Sequence, residues 1–138
     1  MLCEEHGAAA APGPFVPTVI AAALIDRSAS DAIRRDLLPG FASGESTAGL
    51  GVGGEVSVDG GRVSGSCATV ISAGLGTHMV VAAGDDVVIV ESGTGCDVSV
   101  PANVDPGRPS GRVTFDDAPA TVIPGAAAEL MNLTRLLL

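Results

Sequence analysis

The sequence predicts an α+β fold: N-terminal helices, then a small antiparallel β-barrel, then the start of a C-terminal helix. Apolar residues recur at helical spacing before Gly44, alternate with polar residues from Thr47 onward, and return to helical spacing after Ala126. A chain of 138 residues has room for one compact core rather than two. We therefore divide it into a partial N-terminal helical domain and linker (1–45), a β-barrel domain (46–124) and the first turns of a C-terminal helical domain (125–138).

Four segments are predicted to be helical. The first is the alanine-rich run Leu2–Ala11, which is followed by prolines, and the second is Thr18–Arg27, whose apolar residues share one face. Ser30 is a favourable N-cap for a third helix, which we expect Pro39-Gly40 to end. In Ala126–Leu138 the leucines form one stripe, so this segment is predicted to be a helix whose apolar face is left uncovered at the end of the chain.

The β-region is predicted from two hairpin signals and one apolar run. Gly60 and Gly61 lie between two alternating segments, and Gly84 lies between two others; glycine readily adopts the positive φ that a tight hairpin needs. The continuous apolar run Val87–Val90 predicts a strand that is buried on both faces. Short strands at regular spacing are typical of a barrel or a sandwich. The predicted strands are Glu55–Val58, Arg62–Ser64, Cys67–Ser72, Thr77–Ala83, Asp86–Glu91, Cys96–Val100 and Arg112–Phe115.

Composition excludes several classes of partner. The formal net charge is −9, and an acidic surface repels both nucleic-acid phosphates and anionic lipids. Aromatic residues make up 2% of the chain, which leaves almost nothing to stack on single-stranded bases. No apolar stretch is as long as a membrane span, which needs about 20 residues, and the acidic start is unlike an export signal. We expect no nucleic acid, no membrane and a cytoplasmic location, in which Cys3, Cys67 and Cys96 remain reduced.

The ionisable residues form no recognisable catalytic or metal-binding set. His78 lies in a strand pattern and is interpreted as a strand-end imidazole with a satisfied hydrogen bond, and His6 as an exposed side chain. The pairs Asp85-Asp86 and Asp116-Asp117 lie at strand ends or turns, where aspartate commonly bonds the backbone. Gly49–Gly54 is rich in glycine, but a strand follows it where a phosphate-binding loop needs a helix. From residue chemistry alone we expect no catalytic residue and no metal site.

Four segments, in order along the chain, resemble the acyl-CoA dehydrogenase family. Asp36–Glu45 (DLLPGFASGE) is similar to the linker that leads from the family's N-terminal helices into its middle β-barrel domain. Val58–Gly65 resembles a hairpin of that domain. Asp105–Ala120, with the string RVTFDDAPA, resembles the segment that closes the barrel, and Cys3–Ala21 resembles the opening helices of some members.

The resemblance implies a flavoprotein. Family members bind FAD between the barrel and the C-terminal helices, and they oxidise acyl-CoA thioesters to 2-enoyl thioesters with a carboxylate base from the C-terminal domain. Two features depart from the family pattern: the loop that follows the first barrel strand is missing, and in the second flavin-contacting stretch Thr69 replaces an aromatic residue and Ile71 replaces a hydroxyl-bearing one. The FAD-contacting residues that the resemblance implies, largely through their main chain, are Leu50, Gly51, Val52, Val70, Ile71 and Ser72.

The resemblance thus implies an acyl-CoA dehydrogenase-like chain with an acyl-CoA thioester as substrate. We expect it to be truncated or to be the non-catalytic subunit of a homo- or hetero-oligomer that contains a catalytic acyl-CoA dehydrogenase chain, and to be inactive alone. The alternative is a non-enzymatic structural or interaction β-barrel subunit that binds no flavin. A flavin absorbance band in the purified protein favours the first; a colourless protein that co-purifies with a full-length dehydrogenase favours the second.

Overall fold

The computed structural model describes Glu4, Glu5, Ala8 and Ala9, residues 12–102 and residues 105–138. The predicted α+β class is confirmed, with helices on both sides of the β-region along the chain. Of the predicted helix 2–11, only the four residues just named lie in the described part, and Cys3 and His6 lie outside it. The helices that follow are α1 (Phe15–Ser28), α2 (Asp31–Ser43) and α3 (Ala127–Leu137).

Helix α2 begins as predicted but ends later. The Ile33 N–H donates to the Ser30 Oγ at 3.4 Å, which is the expected N-cap. The helix does not stop at Pro39-Gly40; it includes them and ends at Ser43, capped by Gly44, whose φ of 82° is left-handed. Pro39 has no N–H, so the helix lacks one backbone hydrogen bond there. Burial of the Phe41 side chain in the core stabilises the last turn and offsets this loss.

The strands form two four-stranded sheets rather than one closed barrel. They are β1 (Ala48–Gly51), β2 (Glu55–Asp59), β3 (Arg62–Val70), β4 (His78–Ala83), β5 (Asp86–Glu91), β6 (Cys96–Ser99), β7 (Gly111–Pro119) and β8 (Thr121–Ile123). The first sheet has the order β1-β4-β5-β8 and the second has the order β2-β3-β7-β6. All strand pairs are antiparallel as predicted, except that β1 runs parallel to β4.

The first sheet lies between the helices and the second sheet, and this arrangement explains why no barrel closes. In β5, Val87 and Ile89 pack with the helices, whereas Val88 and Val90 pack with the second sheet. The prediction that Val87–Val90 is buried on both faces is therefore confirmed. Because the helices cover one face of the first sheet and the second sheet covers the other, β5 lies in a central layer.

The two predicted hairpins are confirmed. Gly60 and Gly61 have φ values of 55° and 76° and connect β2 to β3 by a two-residue turn, and Gly84 has a φ of 64° between β4 and β5. In α3, Leu130 and Leu133 are buried with the core. Leu136 is 77% exposed. Along the described part of the chain, no helix combines the length and hydrophobicity needed to cross a bilayer.

Candidate functional site

A groove lies where β1 and β3 end side by side. Its volume is about 350 Å³, within the range of about 300–1,000 Å³ that is usual for small-molecule sites. No residue that lines it is ionisable, and Thr69 alone brings a polar side chain. We call this feature the Leu50/Ile71 groove. Its lining residues are Leu50, Val52, Gly53, Gly54, Ala68, Thr69 and Ile71.

The floor of the groove is held by reciprocal main-chain hydrogen bonds. The Leu50 N–H donates to the Ile71 carbonyl at 3.0 Å, and the Ile71 N–H donates to the Leu50 carbonyl at 2.8 Å. On its other side, Leu50 lies in register with Val80 of β4. These bonds fix the two segments relative to each other, and they leave neither of the two N–H groups available to a ligand.

The structure brings three of the six predicted FAD contacts into the groove. Leu50 and Ile71 form its floor, and Val52, which is 40% exposed, stands at its edge. Gly51 and Val70 are buried beneath the floor of the groove. A Cβ on Gly51 would lie 2.8 Å from the Cys67 Sγ and 3.1 Å from the nearest methyl of Val70. These two residues act through packing, because no side chain larger than hydrogen fits at Gly51.

Ser72, the sixth predicted contact, is buried directly after the groove. Its φ of 56° is left-handed, which is uncommon for a residue with a side chain. Its Oγ is buried and has no hydrogen-bond partner among the described residues. Its carbonyl accepts the N–H groups of Leu75 and Gly76, both at 3.0 Å, so the backbone turn is well bonded while the hydroxyl is not.

Gly53, Gly54 and Ala68 also line the groove, although the sequence does not predict them as contacts. A Cβ on Gly53 would meet no atom within 4 Å, so Gly53 leaves open space at the mouth of the groove. A Cβ on Gly54 would lie 2.6 Å from the Ser66 carbonyl oxygen, so Gly54 permits a close approach of two backbones. The glycine-rich stretch after β1 was the available signal, and it indicates this groove rather than a phosphate-binding loop.

A second groove of about 450 Å³ meets the first on the outer face of the second sheet. The two share Ala68 and Thr69. The second groove is polar where the first is apolar, since Arg112 and three hydroxyl-bearing residues line it. Its lining residues are Ala68, Thr69, Ser99, Pro101, Ser110, Gly111 and Arg112.

A cleft of about 620 Å³ between α2 and the sheets contains His78. The His78 Nδ1 lies 2.9 Å from the Thr77 Oγ1, and the ring packs on Phe41 with centroids 5.4 Å apart, so the prediction of a hydrogen-bonded strand-end imidazole is confirmed. Burial lowers the pKa of His78, and the nearby charge of Glu91 partly offsets this effect. Within the described residues, no three His, Cys, Asp or Glu side chains cluster as metal ligands.

The paired aspartates serve the backbone and a surface ion pair. The Asp86 Oδ1 accepts the Gly125 N–H at 2.8 Å, as predicted for an aspartate at a turn. Asp117 has a φ of 47° and binds the Arg62 Nε through its carboxylate at 2.8 Å. Neither residue lines one of the grooves described above.

Comparison with known proteins gives the groove a context. No protein-family model matches the chain, and no curated protein matches it. The chain does match solved structures. A variant of the Tcur3481-Tcur3483 steroid ACAD, an acyl-CoA dehydrogenase, is 27% identical to it, and the TM-score is 0.83 over 99% of this chain and 42% of that one. The chain is related to the acyl-CoA dehydrogenases. The resemblance found in its sequence is thereby confirmed.

Two further acyl-CoA dehydrogenase structures share the fold. The ChsE4-ChsE5 complex from Mycobacterium tuberculosis is 21% identical, with a TM-score of 0.78 over 90% of this chain and 39% of that one. A glutaryl-CoA dehydrogenase from Mycobacterium smegmatis in complex with FADH2 is 15% identical, with a TM-score of 0.65 over 85% of this chain and 38% of that one. The chain spans about two fifths of the length of these acyl-CoA dehydrogenases.

The isoalloxazine ring of a flavin is planar, with apolar faces and a polar edge, and the groove can be compared with each of these parts. The aliphatic side chains of Leu50, Val52 and Ile71 suit a ring face, and the open space beside Gly53 leaves room for it. Thr69 brings the one polar side chain that could bond the polar edge, and the Leu50 and Ile71 N–H groups are already bonded to each other's carbonyls. The side chains of the groove therefore fit one face of the ring and offer its polar edge a single hydroxyl.

Proposed function

We propose that this chain is a non-catalytic subunit of an FAD-dependent acyl-CoA dehydrogenase assembly and that its groove forms one wall of the cofactor site. The observation that carries the proposal is the chemistry of the Leu50/Ile71 groove, which is apolar, of ligand size and without an ionisable side chain. Such a wall can orient a bound ring and exclude water from it, but it cannot abstract a proton.

The proposed contacts are those that the resemblance implies, with roles that differ by position. Leu50, Val52 and Ile71 would pack against the ring, and Gly51 and Val70 would support that surface from behind. When bound, FAD supplies the hydride acceptor for oxidation of an acyl-CoA thioester. The base that removes the α-proton would belong to another chain, since no carboxylate or imidazole of the described residues lines the groove.

The proposed partner is a catalytic acyl-CoA dehydrogenase chain, and the proposed substrate is an acyl-CoA thioester. The ChsE4-ChsE5 structure is a complex by its name, and the steroid ACAD also carries a two-part name, Tcur3481-Tcur3483. A second chain would supply the polar and ionisable side chains that this groove lacks, apart from the Thr69 hydroxyl. We place the assembly in the cytoplasm because the Cys67 and Cys96 thiols are buried and unpaired.

One observation favours the second candidate, an interaction subunit without flavin. The reciprocal bonds between Leu50 and Ile71 complete the main-chain pairing of the groove floor without any ligand. An interaction subunit needs only a fully hydrogen-bonded main chain at this point, whereas a flavin site usually also offers hydrogen-bond donors to the edge of the ring. The two candidates differ in one measurable property, the affinity of the groove for a flavin ring.

The test is a titration of the purified 138-residue chain with riboflavin, followed by the quenching of flavin fluorescence. Saturable quenching that is lost in a groove-filling Gly53→Leu variant supports the flavin-contacting subunit; no quenching in the wild-type chain favours the interaction subunit. A companion assay offers the chain FAD, an acyl-CoA and an artificial electron acceptor. We expect no turnover, and turnover by the chain alone would contradict the non-catalytic role.

A further inference from the structure

Arg112 has no ion-pair partner among the residues that the structure describes, in a protein that is acidic overall. Four arginines form ion pairs with carboxylates in the described part of the chain, and Arg112 is not among them. It lies on the central strand β7 and its side chain is exposed on the outer face of the second sheet. Arg35 and Arg135 also form no ion pair among the described residues, but of these three arginines only Arg112 lines the groove that adjoins the Leu50/Ile71 groove. In a chain with a net charge of −9, such a guanidinium is a local positive site that can attract an anion.

Hydroxyl groups flank Arg112 on both neighbouring strands. Ser99 of β6 is in direct register with Arg112, and Thr69 of β3 lines the same groove. Neither hydroxyl has a hydrogen-bond partner among the residues that the structure describes. Asp97 lies two positions from Ser99, in register with Thr114, and its carboxylate forms no ion pair with Arg112. A guanidinium between two hydroxyls is the donor set that binds a phosphate group.

The polar groove and the Leu50/Ile71 groove are continuous. Ala68 and Thr69 line both, so a ligand can pass from the apolar floor at Ile71 to Arg112 without leaving the surface. One end of this path suits an apolar or aromatic group, and the other suits an anion. The path as a whole therefore fits a molecule in which an apolar group is joined to a phosphate.

We propose that Arg112, with Thr69 and Ser99, binds the phosphate of a ligand whose apolar part occupies the Leu50/Ile71 groove. The proposal rests on the proposed function in that the groove receives a ligand. Two sources offer this chemistry, a flavin nucleotide and coenzyme A. Arginine is suited to the role because its planar guanidinium donates two parallel hydrogen bonds to phosphate oxygens.

The experiment compares matched probes with and without phosphate on the full 138-residue chain. Riboflavin and riboflavin 5′-phosphate form one pair, and pantetheine and coenzyme A form the other; affinities are measured by calorimetry at about 0.15 M salt, where distant charges are screened beyond about 8 Å. We expect at least one phosphorylated probe to bind about tenfold tighter than its partner, the order of one charge-assisted hydrogen bond. Arg112→Gln should abolish that preference.

The control is Arg35→Gln, which removes the same charge from an exposed position on α2 and should keep the preference. A preference confined to one pair assigns the source of the phosphate. Equal affinity within both pairs, or a preference that survives Arg112→Gln, would overturn the proposal. Because riboflavin carries no phosphate, its binding to the wild-type chain tests the groove alone, so failure of this inference is distinguishable from failure of the groove to bind a ring at all.

Discussion

Leu50 and Ile71 bond each other's main chain at 3.0 and 2.8 Å, and the aliphatic side chain of Ile71 lines the groove beside these bonds. We predict that Ile71→Thr raises the affinity of the groove for riboflavin by about fivefold, since one added hydrogen bond contributes about 1 kcal/mol. Fluorescence quenching measures the change. Ile71→Val is the matched control, because valine has the shape of threonine without its hydroxyl. Equal affinities of the two variants would contradict the prediction.

Ser72 has a strained backbone, and its buried hydroxyl has no hydrogen-bond partner in the described part of the chain. A non-glycine residue in a sparsely populated conformation costs about 1–3 kcal/mol, and glycine adopts positive φ without that cost. We predict that Ser72→Gly raises the free energy of unfolding by about 1 kcal/mol, after allowance for the greater entropy of glycine in the unfolded chain. Urea denaturation measures it.

Asp117→Gly is the control for Ser72. Asp117 also has positive φ, at 47°, but its carboxylate binds Arg62, so removal of its side chain loses an interaction while it relieves strain. We expect a smaller gain than at Ser72. A loss of stability in Ser72→Gly would show instead that the hydroxyl has a role in the folded chain.

The elements that depend on the backbone preferences of a few neighbouring residues could be predicted from the sequence. Those that could not be predicted depend on contacts between residues distant in the chain. The turn at Gly60-Gly61 and the cap at Ser30 follow from backbone preferences of single residues. The end of α2 does not, because burial of Phe41 carries the helix past Pro39. The apolar residues of β5 were correctly predicted to be buried on both faces, yet that observation alone does not distinguish a central layer from a barrel wall.

The candidate site shows the same limit. Ile71 and Val52 were identified because they lie in segments that resemble known flavin-contacting ones. Arg112 and Ser99 were not, because only the pairing of β6 with β7 places them together. Ser72 lies in one of these segments as well, and the structure buries it directly after the groove, where the chain reverses and its carbonyl accepts the Leu75 and Gly76 N–H groups.

Gly53 and Gly54 are adjacent but have opposite surroundings. A Cβ at Gly53 meets nothing within 4 Å, so we predict that Gly53→Ala keeps or raises the free energy of unfolding, by up to about 1 kcal/mol. At Gly54 the Cβ would lie 2.6 Å from the Ser66 carbonyl oxygen, so Gly54→Ala should destabilise the fold by about 2 kcal/mol or more. Urea denaturation of both variants is the measurement, and equal stabilities would contradict the packing described for this loop.

His78 should make stability depend on pH. Burial lowers its pKa in the folded chain below the ordinary value of 6.5, so between these two pKa values the unfolded chain binds more protons than the folded one. The contribution is therefore fully present above about pH 6.5 and is lost as the pH falls through the folded pKa. We predict that His78→Gln flattens the dependence of the unfolding free energy on pH between about pH 7 and pH 5. Glu91→Gln should steepen it, because loss of the neighbouring carboxylate lowers the pKa of His78 further. Parallel curves for the wild-type chain and His78→Gln over this range would show that the imidazole titrates alike in both states.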